Sequence, residues 1–196
     1  MAASSQNGKK SPEQALAGLS EAQASAKRGP APVHLWNPPF CGDIDMRIAA
    51  DGTWHYLGSP IGRLPLVKLF SSILRKDPER YVLVTPVERV GIHVDDAPFL
   101  AVEMRVEAGR IGFRTQVEDF VWAGGEHPLR FEAGAAEGVK PYVRIRGDLW
   151  ALVKRSLFYD LVELGVVEPH AGEDWFGVRS KGVFFPMRPA REIEGL

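Results

Sequence analysis

Ile44, Met46 and Ile48 alternate with Asp43, Asp45 and Arg47, and Asp51-Gly52 follows at once. Alternation of apolar and charged residues with period two marks a half-buried strand, and Asp-Gly is among the strongest short hairpin signals. The body of the chain therefore opens on an antiparallel pair, with Trp54 to Gly58 as the returning strand. A two-residue loop at Asp51-Gly52 sets Ile48 opposite His55 and Met46 opposite Leu57 on the apolar face. The other face then pairs Ala49 with Trp54, Arg47 with Tyr56 and Asp45 with Gly58, and Asp43 extends the row.

Hairpin is followed by helix. Leu66, Leu69, Phe70, Ile73 and Leu74 form an apolar stripe of helical period, with Pro65 in the first turn and Asp77-Pro78 as the stop. Strands at 81–85 and 89–94 follow. The order then repeats. A hairpin at 100–115 turns at Ala108-Gly109, strand-like stretches fall at 120–122, 129–132 and 142–146, and a helix is predicted from Asp148 as N-cap to Leu164, with Gly165 as its C′ residue. Strands at 175–179 and 183–185 close the body. The expected fold class is α+β, two small β-rich domains built from duplicated hairpin-helix-hairpin units. The boundaries are a flexible tail at 1–32 with one docked turn, an N-terminal domain at 33–96, a C-terminal domain with one long helix at 97–188, and a short tail at 189–196.

The two hairpins differ on their outer faces. Around Ala108-Gly109, Glu107 meets Arg110 and Glu103 meets Arg114, the complementary pairs of a solvated sheet. Around Asp51-Gly52 the same pairing gathers Asp43, Asp45, Arg47, Trp54 and Tyr56, with Gly58 leaving space beside Asp45. Large aromatic residues beside unlike charges form either a buried ion pair or a ligand surface.

Composition excludes several classes. With 24 basic and 25 acidic residues the chain has no global field for nucleic acid or an anionic membrane. No apolar run is long enough to span a bilayer, and the start lacks the apolar core of a secretory signal. Cys41 is the only cysteine, so no intrachain disulfide forms, and a cytoplasmic location is expected. No phosphate-loop, dinucleotide, nucleophile-elbow or zinc motif occurs, and no metal or cofactor is expected. Asp43-x-Asp45 as a metal pair is opposed by Arg47, and Cys41 next to Phe40 reads as a small core hydrophobe rather than a nucleophile. Arg144, Arg146, Lys154 and Arg155, with Tyr142, read as a solvated basic face before a phosphate grip.

The run Trp36-Asn37-Pro38-Pro39-Phe40-Cys41-Gly42-Asp43-Ile44-Asp45-Met46-Arg47-Ile48, with Asp51-Gly52-Thr53-Trp54-His55-Tyr56 and Pro60-Ile61-Gly62-Arg63, closely resembles the hallmark of the bacterial domain of unknown function 1285. Tyr81 to Glu88, Pro98-Phe99, Pro141-Tyr142 and Ser180 to Phe185 resemble later blocks, so the likeness spans about Pro32 to Met187. The resemblance implies a duplicated two-domain α+β fold whose second domain is superficially like pleckstrin-homology folds. It further implies a nucleotide-like ligand between the domains and a role in signalling. It carries over Cys41, Asp43, Asp45, Arg47, Trp54, Tyr56 and Arg63 as candidate ligand-binding positions.

The leading reading is a non-enzymatic binding or sensory module for a small anionic ligand. Arg47 and Arg63 counter its charge, and Trp54 or Tyr56 stacks on it. Two alternatives stay open: a small hydrolase or transferase using Asp45 with Cys41 nearby, and a protein interaction scaffold. The sequence leaves the oligomeric state open.

Overall fold

Strand β1 (Phe40–Ile48) starts the first sheet, and its buried residues are Met46 and Ile48, as the alternation requires. The computed structural model describes residues 12, 16, 18–20, 24, 31–134 and 138–193. Most of the expected N-terminal tail thus lies outside the described residues; within it Leu16 and Leu19 are buried. The chain divides into two units: unit 1 is Met1–Arg47 with Thr53–His93, and unit 2 is Ile48–Gly52 with Val94–Leu196. Both are mixed α and β, and no described helix is long and apolar enough to cross a membrane.

The first hairpin departs from the expected register. Strand β2 (Trp54–Tyr56) starts where expected, but the loop before it is not the expected one. Gly52 N–H donates to Ala49 O at 2.9 Å, Gly52 lies at φ +82°, and Asp51 is not left-handed. A type I′ turn needs positive φ at both central residues. What forms instead is a three-residue loop, a turn over Ala50-Asp51 followed by a left-handed glycine. Leu57 N–H accordingly bonds Asp45 O at 2.9 Å, one residue off the expected pairing. A shift of one residue exchanges the faces of a strand. Trp54, expected on the outer face, is 1% exposed and stacks on Phe70 at 6.2 Å and 17°.

The X-Gly turn of the I′ kind occurs one step later, at Leu57-Gly58 (φ +50° and +75°), joining β2 to β3 (Ser59–Pro60) with Tyr56 opposite Ser59. Helix α1 (Leu64–Ser72) follows, with proline in its first turn and Leu66, Val67, Phe70 and Ser71 buried. It stops well before Asp77, because Leu74–Lys76 forms β4. Strands β5 (Tyr81–Val84) and β6 (Arg89–Val94) complete a six-stranded sheet of order β3-β2-β1-β6-β5-β4.

Unit 2 carries a second six-stranded sheet. Strands β7 (Phe99–Glu107) and β8 (Arg110–Thr115) turn at Ala108-Gly109 with the expected register: Glu107 faces Arg110 and Glu103 faces Arg114, the latter ion pair at 2.9 Å. Strands β9 (Phe120–Trp122), β10 (Leu129–Ala133), β11 (Val139–Arg146) and β12 (Leu149–Val153) follow. The long helix expected from Asp148 is corrected here. Leu149, Ala151 and Val153 are buried while Trp150 and Leu152 are only half-buried, which is period two, and β12 pairs with both β11 and β7. Helix α2 is confined to Arg155–Glu163 with Lys154 as its N-cap.

Gly165 does not cap that helix but opens β13 (Gly165–His170). Its missing Cβ makes room for the Phe176 ring, whose Cζ lies 2.0 Å from where that carbon would sit. With β14 (Glu173–Ser180) and β15 (Val183–Pro189) it forms a three-stranded sheet. Two further I′-like turns, Ala171-Gly172 and Lys181-Gly182, connect it. Buried Ser180 ties β14 to the larger sheet of unit 2: its hydroxyl accepts from Ile111 N–H at 2.9 Å and donates to Ala123 O at 2.7 Å.

Candidate functional site

The seven sequence-derived candidates do not form one cluster. Cys41 is exposed, a correction to its reading as core, and its thiol points to Pro39 O at 3.6 Å. Gly42 beside it sits at φ +96°, a local kink in β1 on the row of Ile44 and Met46. Asp43, Asp45 and Arg47 are exposed along the outer row, as alternation about Met46 demands. Trp54 has left the group for the core, Tyr56 is half-buried, and exposed Arg63 is the N-cap of α1. The one-residue register shift separates the aromatic residues from the charges.

Near Asp43 lies a shallow hollow of about 350 Å³, walled by Phe40, Asp77, Pro78, Glu79, Arg80 and Arg89. Its charges are largely matched within the protein. Asp77 accepts Arg75 Nε at 2.7 Å and Arg89 Nη1 at 3.0 Å, and Arg80 meets Asp43 at 3.5 Å while lying over the Phe40 ring at 4.8 Å. Arg75 also donates to Val33 O and Trp36 O at 2.8 and 2.7 Å, fastening the proline-rich lead-in to unit 1. This set reads as structural cross-linking.

Unit 2 offers a different site. A hollow of about 670 Å³ lies where β12 gives way to α2. Its walls are mostly apolar: Leu100, Val139, Pro141, Leu152, Val153 and Phe158. That volume is within the range of small-molecule sites. The charged residues on it are Lys140, Lys154, Arg155 and Asp51, the last from the loop of the first hairpin. Parallel pairing sets Leu152 beside Leu100, so the floor is built by adjacent strands, and one edge by the first turns of α2.

The electrostatics of that edge are unusual. The positive end of a helix dipole favours acidic residues. Here the first turn holds no acidic residue and no side chain caps it, while Lys154 and Arg155 add two cations. Neither cation has a carboxylate partner among the described residues; Arg155 Nε donates to Tyr159 Oη at 3.0 Å. Lys140, by contrast, is engaged: its ammonium bonds Asp96 at 2.6 Å, and Tyr142 Oη donates to the other Asp96 oxygen at 2.7 Å. Burial pushes the Asp96 carboxyl up, but the hydrogen bonds from Lys140 and Tyr142 and the charges of Lys140 and Arg130 outweigh it and hold it below its ordinary value. Burial first, and then the bond to Asp96, raises the Tyr142 hydroxyl well above its ordinary value. Of the basic residues flagged in sequence, only Lys154 and Arg155 reach this hollow. Arg144 donates to Glu126 O and Arg146 pairs with Asp119. Among the described residues no group of three His, Cys, Asp or Glu side chains could hold a metal ion.

A two-unit α+β chain with a kinked, Asp-rich first strand and a basic, apolar-walled hollow in its second unit is thus defined by its structure. The family follows from comparison. Residues 31–97 match the domain of unknown function DUF1285, N-terminal domain, and residues 98–187 match the DUF1285 C-terminal domain, so the chain belongs to this family. It is similar to a DUF1285 family protein from Silicibacter pomeroyi DSS-3, with 50% identity over 91% of this chain and 98% of that one, at a TM-score of 0.82. A DUF1285 family protein from Shewanella baltica OS155 is similar at 28% identity over 61% of this chain and 91% of that one, with a TM-score of 0.50. No curated protein matches.

Proposed function

We propose that the chain is a non-enzymatic binding module that takes a small anionic ligand in the hollow of its second unit, with a sensory role in the cytoplasm. One observation carries the reading: apolar walls enclosing about 670 Å³ meet two cations, Lys154 and Arg155, that no described carboxylate balances. Charges left unmatched beside an apolar cavity raise the affinity of that cavity for an anion. Asp51 and Lys140 complete the polar rim, and because Asp96 neutralises Lys140, the attraction rests on Lys154 and Arg155. A scaffold without a cavity, the third reading of the sequence, has less support for the same reason. We place the domain division at 96/97.

A thermal-shift screen of small organic anions tests this. A binding anion stabilises the native state by RT ln(1 + [L]/Kd). The expected result is a concentration-dependent rise in Tm that disappears in Lys154→Ala/Arg155→Ala and persists in Arg47→Ala. If Arg47→Ala abolishes the shift and the double variant keeps it, the ligand sits on the outer row of β1 and this reading is wrong.

A further inference from the structure

The walls of the same hollow constrain the ligand beyond its charge, an inference that rests on the reading above. The described residues lining it include no Asn, Gln, Ser, Thr or His. Their side-chain polar groups are two ammonium groups, one guanidinium, one carboxylate and the Tyr159 hydroxyl, which Arg155 already engages. A nucleobase is recognised by donors and acceptors matched to its edge, and a sugar by groups that pair its hydroxyls. Buried without such partners, those polar atoms carry a desolvation cost. Leu100, Val139, Pro141, Leu152 and Phe158 instead offer apolar surface, which rewards a body with no polar atoms to satisfy.

We infer that the hollow takes an organic acid with an apolar body, its chain or ring on Leu100, Leu152 and Phe158 and its acid group between Lys154 and Arg155, rather than a nucleotide. The acid end then neutralises the cations at the start of α2. The body contributes through area alone, so affinity rises with each methylene that fits. At the usual transfer free energy of a buried methylene, each one tightens binding by about three- to fourfold, and two by roughly tenfold.

Isothermal titration of the full chain with hexanoate, octanoate and AMP tests the inference, with Lys154→Glu and Arg155→Gln as variants. Both side chains are exposed, so the variants keep the fold, and circular dichroism verifies it. The expected result is octanoate binding roughly tenfold tighter than hexanoate, AMP weaker than either, and octanoate affinity falling at least about fivefold in both variants. Equal affinities for hexanoate and octanoate would show that the apolar walls are not engaged and overturn the inference. AMP binding more tightly than octanoate, and losing affinity in Lys154→Glu, would overturn the inference while leaving the anion site in place. If neither variant changes the binding of any probe, the anion site itself falls.

Discussion

Trp54 gives the sharpest test of the fold around the first hairpin. Its side chain is 1% exposed, stacks on Phe70, and keeps its indole N–H buried without an acceptor among the described residues. Trp54→Ala removes the whole ring system, and large-to-small changes of this kind cost about 3–5 kcal/mol. Trp54→Phe is a different perturbation. It keeps a six-membered ring against Phe70 but leaves a smaller void, at a cost of roughly 1–3 kcal/mol. It also deletes the unsatisfied donor, whose burial costs about 1–3 kcal/mol. The two effects oppose each other, so the Phe variant is expected within about 1 kcal/mol of wild type. With a urea m-value near 2 kcal/mol/M, the Ala variant moves the midpoint down by about 1.5–2.5 M and the Phe variant by less than about 0.5 M. Far-UV circular dichroism in urea reads both without relying on tryptophan fluorescence. A Phe variant as unstable as the Ala variant would refute the orphaned donor. An Ala variant costing under about 1 kcal/mol would refute the core placement of Trp54.

Glycine substitutions separate backbone crowding from side-chain crowding. At Gly177 a new Cβ meets Phe185 O at 2.3 Å, so Gly177→Ala is expected to lose at least about 2 kcal/mol in urea denaturation. At Gly91 the crowding comes from the carboxyl end of exposed Asp43, with the Phe40 ring in ordinary contact at 3.5 Å, so Gly91→Ala should cost under about 1 kcal/mol while breaking the Asp43–Arg80 pair. Ala108 sits at φ +46° in an I′-type turn, and Ala108→Asn is expected to raise stability by about 0.5–1 kcal/mol, read as a higher Tm. The native pKa of Asp96 lies below its unfolded value, so its contribution is present above the unfolded pKa and is lost as pH falls through the native one. Asp96→Asn should therefore lower stability at neutral pH and flatten the acid limb of stability against pH. An unchanged acid limb would contradict this role.

How much of this was legible beforehand depends on the kind of signal. Strand alternation located β1, and the Glu-Arg pairs across Ala108-Gly109 fixed the register of β7 and β8, because complementary charges and an I′ turn agree there. The Asp51-Gly52 signal was true as a turn and misleading as a register. Asp-Gly serves both a two-residue loop and a turn ending in a left-handed glycine. Only tertiary packing chooses between them. At Gly52 a Cβ would lie 3.1 Å from Gln116 and 3.3 Å from Leu100, contacts made far along the chain. From that single offset came the misplacement of Trp54 and the apparent cluster with Arg47 and Asp45. The first five residues of the expected helix fit helical period through Leu149, Leu152 and Val153 and strand period through Leu149, Ala151 and Val153, and pairing with β7 and β11 decided for strand. The hollow drew Asp51, Leu100, Val139, Leu152 and Lys154 from distant parts of the chain, so no local spacing announced it. Lys154 and Arg155 were visible as a basic pair. Their place at a helix start without acidic neighbours became visible only once the helix began at Arg155.

An organic anion held by the second unit at the start of α2 has a direct spectroscopic signature. Chemical-shift mapping of the isotopically labelled full chain, titrated with octanoate, tests it most directly. The expected result is shifts concentrated at the methyl groups of Leu100, Val139 and Leu152, the ring of Phe158 and the amide of Arg155. Shifts gathered instead along Asp43, Asp45 and Arg47, or none at millimolar octanoate, would contradict it.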